Sequence, residues 1–455
     1  MASNMSTVST KQQRIAELAK QSPQMAFTTL AHYMDVEWLR EAYDRTRKDA
    51  AAGVDGQTAA DYERDLEGNL QRLLEQAQSG RYRAPPVRRV YIPKGTGGET
   101  RPLGIPTLED KVLQRAVVML LEPIFEHDFL PCSYGFRPGR SAHQALEALW
   151  QGCSAGQGGW ILEVDIRKFF DTLEHGHLRA FLQRRIRDGV VLRLIGKWLN
   201  AGVLEAGELT YSETGTPQGG VISPLLANVF LHYVLDVWFV EEVQPRLHGR
   251  AFLIRYADDL VMGFACEQDA QRVGKVLPER FGKFGLTVHP DKTRLLPFQR
   301  PTPRATRKGQ PPPSESPPRN GGGRPGSFDF LGFTHYWGRS RRGAWIVQRK
   351  TAASRMRRVL GAFSTWCRAH LHDPIPQQAL LLNQKLRGHD AYYGVTGNSR
   401  SLTSLRHWLQ RLWRSWLARR NRERRLPWPA FCRLLRRYPL VPARVVHSIY
   451  RDRRT

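Results

Sequence analysis

The chain has 455 residues, of which 41% are hydrophobic and 24% charged, with 69 Lys+Arg against 42 Asp+Glu and a formal net charge of +27. That composition excludes a mostly disordered chain and supplies enough residues for two or three domains with a sizeable core. A field of that sign calls for a polyanionic partner, of which nucleic acid is the foremost candidate.

In chain order, residues 11–80 predict helices, with Leu66, Leu70, Leu73 and Leu74 at helical spacing. Residues 85–106 predict a strand through Val87, Val90, Tyr91 and Ile92, a KGTGGET loop and a return strand, RPLGIP. Thr107 with Asp110 in the first turn predicts the start of a helix running to about 125. Residues 160–165 predict a buried strand ending in a carboxylate, 177–200 a helical stretch, and 221–240 a long apolar helix after a Gly/Pro turn. Residues 251–264, AFLIRYADDLVMGF, predict two apolar strands around an acidic turn. Nine Pro and five Gly fall among the 31 positions 297–327, so this stretch is expected to be a flexible insertion without a core. From about 341 the chain is expected to be helical, basic and Trp-rich.

The charge is unevenly spread. Residues 334–455 hold 27 Lys+Arg against 4 Asp+Glu, a net +23 of the chain's +27. A solvated basic surface or a patch for anionic lipid is the plainer alternative, but Trp and Tyr interleaved with the Arg favour nucleic acid. The apolar stretch near 225–240 is broken by His232 and Asp236, and the opening MASNMSTVSTKQQR lacks an apolar run, so neither a membrane span nor a secretory signal is expected. Cys132, Cys153, Cys266, Cys367 and Cys432 form no CxxC pair and are read as reduced thiols in a cytoplasmic protein.

The sharpest chemical signal is Tyr256-Ala257-Asp258-Asp259. Adjacent strand residues point to opposite faces, so two neighbouring carboxylates share a site only where the backbone turns. Asp165, ending another apolar strand, makes a third. Three Asp on neighbouring strands suit two Mg²⁺ ions roughly 3.5–4 Å apart, the arrangement used for in-line phosphoryl transfer. Taken alone, Asp-Asp in a turn is usually only a turn; the neighbouring motifs raise its weight. Gly215-Thr216-Pro217-Gln218-Gly219-Gly220 allows close backbone approach to a ligand, with Gln218 as a neutral hydrogen-bonding group, or is a plain helix-entry turn before Pro224. In Asp-Ile-Arg-Lys-Phe-Phe-Asp, residues 165–171, an aromatic ring beyond the carboxylate can pack under a sugar, or both Phe169 and Phe170 are core. Lys94 and Arg101 flank the KGTGGET loop, where they could meet triphosphate oxygens or simply be surface charges.

In this order the motifs VRRVYIPKGTGGETRPLGIPTLEDKVLQRAV, SYGFRPGRSAHQAL, VDIRKFFDTLEH, GTPQGGVISPLLANVFLHYVLD, IRYADDLVM, GLTVHPDKTRLL and FDFLGF resemble a group II intron reverse transcriptase, also called an intron-encoded maturase. With AGVDGQT and LNQKLRGHDAYYGV the resemblance covers roughly residues 25–440. It implies an α+β right-hand polymerase: a helical N-terminal extension (1–84), fingers and palm with an antiparallel sheet (85–296), the insertion (297–327), the end of the palm (328–340) and a basic helical thumb or X domain (341–455). It implies that Asp165, Asp258 and Asp259 bind two Mg²⁺ ions with help from the Ile166 carbonyl. It further implies that Phe170 gates the sugar, that Lys94 and Arg101 hold the triphosphate, and that Gln218 and Lys292 line the nucleotide pocket.

The implied activity is RNA-directed DNA synthesis, together with binding and splicing assistance to the intron's own RNA and retrohoming primed at a DNA target; dNTPs and target DNA are the other partners. Residues 402–417 carry one apolar stripe, Leu402, Leu405, Trp408, Leu409, Leu412, Trp413, Trp416 and Leu417, expected to be core. Arg406, Arg411 and Arg414 lie mostly off it and, with Arg419 and Arg420, are expected to face RNA. Two departures stand out: the insertion is longer than typical, and no Cys/His cluster of an HNH nuclease precedes Thr455, which suggests the endonuclease-lacking, class C-like branch in bacteria. The alternatives are a domesticated relative in phage defence or spacer acquisition, and a splicing-only RNA-binding maturase.

Overall fold

A computed structural model describes residues 7–93, 100–156, 158–205, 208–210, 219–301, 326–340, 342–420 and 425–448. The chain divides into two compact units, Met1–Ala145 with Leu162–Leu295, and Leu146–Ile161 with Leu296–Thr455.

In the first unit the N-terminal helices are anchored to helix Leu108–Asp128. Asp35 caps helix Val36–Asp44 by accepting from Trp38 N, and the buried Trp38 indole donates to the Ala116 carbonyl at 3.0 Å. Helix Leu66–Ser79 buries Leu70, Leu73 and Leu74, the spaced leucines of the sequence. Thr107 caps helix Leu108–Asp128 through Asp110 N, as expected. Lys111 Nζ and Arg88 donate to the Ala51 and Ala52 carbonyls, so the N-terminal segment is stitched into this unit.

Strands β1 (Val87–Pro93) and β2 (Thr100–Ile105) pair antiparallel, and β1 also pairs parallel with β4, so that β3 (Trp160–Val164), β4 (Val203–Glu205) and β5 (Glu208–Thr210) divide between two sheets. The first sheet has the order β2-β1-β4-β5. The second, with β6 (Ala251–Tyr256), β7 (Asp259–Phe264) and β8 (Arg294–Pro297), has the order β6-β7-β3-β8. Helix Ser223–Leu231 is buried nearly throughout and continues through wider π-type winding to Val243. Ser223–Arg246 is long and apolar enough to cross a membrane by length and composition, but most of it is buried inside the protein.

In the second unit β9 (Phe328–Phe330), β10 (Phe333–Arg339) and β11 (Trp345–Thr351) form an antiparallel sheet of order β11-β10-β9. The expectation of helix from about 341 needs correction: Trp345, Ile346 and Val347 pair with Arg339, Gly338 and Trp337, and helix begins only at Ala353. Their β-branched and aromatic side chains suit a half-buried strand. The edge of the Pro/Gly stretch also differs from expectation. Phe298 is fully buried between Phe328 and Trp337, and its carbonyl accepts from the Trp337 indole at 2.7 Å; residues 302–325 lie outside the described residues. Helices Ala353–Ala369, Ile375–Tyr393, Ser399–Ala418 and Trp428–Arg437 enclose Phe363, Leu382, Leu386, Leu409, Trp413 and Phe431.

Candidate active site

The acidic motif sits on a tight hairpin. Tyr256 pairs with Asp259, which leaves Ala257 and Asp258 as a two-residue turn between β6 and β7. Ala257 has φ +56 and is the only one of the two with positive φ, the conformation that matches turn twist to strand twist. A left-handed Ala is strained, so its neighbours must hold it there. Asp258 is half-buried and Asp259, opening β7, is exposed. β7 lies between β6 and β3 in the sheet, and Asp165 directly follows the last residue of β3. The three carboxylates thus lie at the ends of adjoining strands of one sheet.

The segment 286–294 frames Asp165. Arg167 N donates to the Thr287 carbonyl, His289 N donates to the Asp165 carbonyl, both at 2.8 Å, and Ile166 bridges Val288. Lys292 Nζ lies 3.3 Å from Asp165 Oδ2. Among the described residues no three Asp, Glu, His or Cys side chains close into a metal cage. Asp165, Asp258 and Asp259 offer hard carboxylate oxygens, the donor type that suits a hard divalent cation such as Mg²⁺.

Beneath the turn lies a buried network that the sequence motifs did not reveal. Arg255 is fully buried and forms a bidentate ion pair with Asp236, Nε to Oδ1 at 2.8 Å and Nη2 to Oδ2 at 2.6 Å. Its Nη1 donates to Asn228 Oδ1 at 2.9 Å and to the Ala257 carbonyl at 3.1 Å. Asn228 Nδ2 in turn donates to the Gly135 carbonyl at 2.7 Å. Burial opposes the Arg255 charge, but Asp236 overcomes it and raises the guanidinium pKa. Gly135 packs so closely that a Cβ there would meet Ala257 N at 2.3 Å. The backbone completes the clamp: Arg255 N donates to the Cys132 carbonyl at 2.8 Å and Tyr134 N to the Arg255 carbonyl at 2.9 Å. The available signals were an Arg inside an apolar strand and the Asp236 that interrupts an apolar helix.

The remaining candidates divide. Phe170 and Phe169 are both buried, in a T-shaped pair at 5.2 Å, and Phe169 also packs on Phe230. Arg101 is exposed on β2 opposite Ile92. Lys94 and Gln218 lie outside the described residues. Gly219, next to Gln218, has φ +119, and a Cβ there would meet the Gly104 carbonyl at 2.4 Å, so only glycine fits.

In the second unit one RNA-facing assignment fails. Arg406 is buried, paired with the buried Asp390 at 2.5 Å and bonded to the Val441 and Leu402 carbonyls, so its guanidinium is turned into the helical core. Arg420 donates to the Leu371 and Asp373 carbonyls, and Arg414 to the Leu426 carbonyl at 3.0 Å. Arg411 and Arg419 are exposed, over the rings of Trp408 at 5.5 Å and Trp416 at 4.1 Å. Trp408, expected in the core stripe, is 51% exposed: the apolar face of its helix is narrower than the stripe, and Leu405, Leu409, Trp413 and Leu417 fill it. Tyr392 and Tyr393 pack on Phe333.

Comparison with known proteins adds to this geometry. Residues 92–335 match the family described as reverse transcriptase (RNA-dependent DNA polymerase), and residues 356–431 match the group II intron maturase-specific domain. The chain is 40% identical over 232 residues to Protein YkfC of Escherichia coli, covering 50% of this chain and 61% of the relative. It is 36% identical over 223 residues to the group II intron-encoded protein LtrA of Lactococcus lactis, covering 48% and 37%. It is 28% identical over 232 residues to nuclear intron maturase 2, mitochondrial, of Arabidopsis thaliana, covering 42% and 30%. In each alignment less than two thirds of the relative's length is spanned.

Proposed function

The chain belongs to the reverse transcriptase (RNA-dependent DNA polymerase) family and carries a group II intron maturase-specific domain, and from that premise we propose that it copies RNA into DNA at the Asp165–Asp258–Asp259 ledge and binds the intron RNA that encodes it. What supports this reading is the strand order, in which Asp165 directly follows the strand beside the one that Asp259 opens.

In this proposal the polymerase has a right-hand layout, with β1 and β2 in the fingers and the β6-β7-β3-β8 sheet in the palm. Asp165, Asp258, Asp259 and the Ile166 carbonyl hold two Mg²⁺ ions. Bound there, the ions supply the positive charge that favours attack by a primer 3′-hydroxyl and departure of pyrophosphate. The chain's own groups do the positioning. The Arg255–Asp236 pair holds the Ala257 carbonyl and so fixes the height of Asp258. Lys292, at Asp165, is placed to meet a phosphate oxygen once a cation takes over the carboxylate. Lys94, Arg101 and Gln218 serve the incoming dNTP, and Phe170 limits the space beneath its sugar.

The maturase function is binding energy rather than side-chain chemistry. Arg411 and Arg419, held over exposed or half-exposed Trp rings, present guanidinium groups that contact phosphates and stack on unpaired bases. Retrohoming follows by extension of a primer at the DNA target. The test is the Asp258→Ala variant: cDNA synthesis on an RNA template is abolished while intron RNA binding and splicing assistance persist. Equal loss of splicing at unchanged RNA affinity would contradict this division of labour.

A further inference from the structure

Phe136 is the most exposed large hydrophobic residue among those described, at 60%. Its backbone has φ +57, a conformation that a bulky L-residue keeps only where its neighbours enforce it. Both neighbours are buried. On one side Gly135 is locked to the catalytic turn by the Asn228 bond to its carbonyl and by its close approach to Ala257 N. On the other side Arg137 grips Glu126, Nε to Oε1 at 3.0 Å and Nη2 to Oε2 at 2.9 Å, and donates from Nη1 to the Leu130 and Ser133 carbonyls. Between two anchored residues the chain turns one aromatic ring out into solvent, next to the strained turn that carries Asp258. Pro138, Gly139 and Arg140 beyond it are exposed, with the Arg140 guanidinium 5.4 Å from the centre of the Tyr134 ring.

An outward ring held in a costly conformation is poor packing and poor solubility design; it makes sense as a contact surface. Its place beside the carboxylates and the exposed Arg140 favour nucleic acid over a protein partner. We propose that Phe136 is a template–primer contact, its ring stacking on a base or packing on a sugar of the duplex end. The Arg255–Asn228 strut sets it in register with the catalytic turn, because that strut bonds the Ala257 and Gly135 carbonyls at once. Phe136's role rests on the polymerase function proposed above.

The test uses the full chain and a labelled DNA primer annealed to an RNA template, with affinity read by fluorescence anisotropy and stability by thermal denaturation. Phe136→Gly removes the ring and also relieves the positive φ. It is expected to weaken duplex binding about tenfold, within the range measured for one base–aromatic stack, while its Tm equals or exceeds that of the wild type. Phe136→Trp is expected to bind like the wild type. Wild-type affinity in Phe136→Gly, or a lower Tm in that variant, overturns the proposal. A wild-type chain that binds the duplex but makes no cDNA overturns the polymerase function instead, and the affinity comparison still decides Phe136.

Discussion

Arg406 and Arg411 lie five positions apart on one helix and have opposite fates. Arg406 sits inside the fold against Asp390, so Arg406→Ala leaves a buried carboxylate without its guanidinium partner. A loss of about 3–5 kcal/mol is expected, read as a lower Tm. Arg411 is exposed over Trp408; Arg411→Ala should shift stability by no more than about 0.5 kcal/mol and weaken RNA binding with a shallower salt dependence. Asp110 offers a pH signature. Burial pushes its carboxyl pKa up to about 6, against the lowering influence of the Tyr82 and Trp198 hydrogen bonds, from 3.8. The folded state therefore holds more protons than the unfolded between those values, and stability falls as pH rises through that window, by at most about 3 kcal/mol. Asp110→Asn keeps an acceptor for Tyr82 and Trp198 and should abolish this component, so its Tm should fall less than that of the wild type between pH 4 and pH 7.

At the scale of elements, the β6–β7 hairpin depends on a glycine from a distant segment. In Gly135→Ala the new methyl would meet Ala257 N at 2.3 Å and displace the turn. A shift of about 1 Å at the reacting groups costs on the order of a hundredfold, so primer extension should drop by that factor while intron RNA binding is retained; unimpaired extension would show that the turn tolerates displacement. The hairpin and its Asp-Asp tip were legible because two apolar runs flank an acidic pair. The strands β1 and β2, the Thr107 cap and the leucine face of Leu66–Ser79 were legible for the same reason, a local pattern of period or cap. What was not legible depends on partners far apart in sequence. Arg255, Asp236, Asn228 and Gly135 meet only in the fold, and Arg406 cannot be told from a surface Arg until Asp390 is seen beside it. Strand β11 was missed because basic, Trp-rich neighbours on both sides read as helix, while its pairing partner β10 lies across a turn.

For the whole molecule, chemistry and charge are segregated along the chain. The carboxylate ledge lies in the unit Met1–Ala145 with Leu162–Leu295, whereas residues 334–455 carry +23 of the net +27. Intron RNA affinity should therefore fall steeply with salt through counterion release. The buried Asp236–Arg255 pair supports the ledge and not the basic surface. Three carboxylates at the ends of adjoining strands are proposed to act together on cations to drive RNA-templated DNA synthesis. Primer extension with dNTPs on an RNA template, titrated with Mg²⁺, tests it most directly on wild type, Asp165→Asn and Asp258→Asn at matched Tm. Saturable Mg²⁺ dependence in the wild type and loss of extension in both variants is the predicted result; an Asp165→Asn chain that extends the primer like the wild type would contradict it.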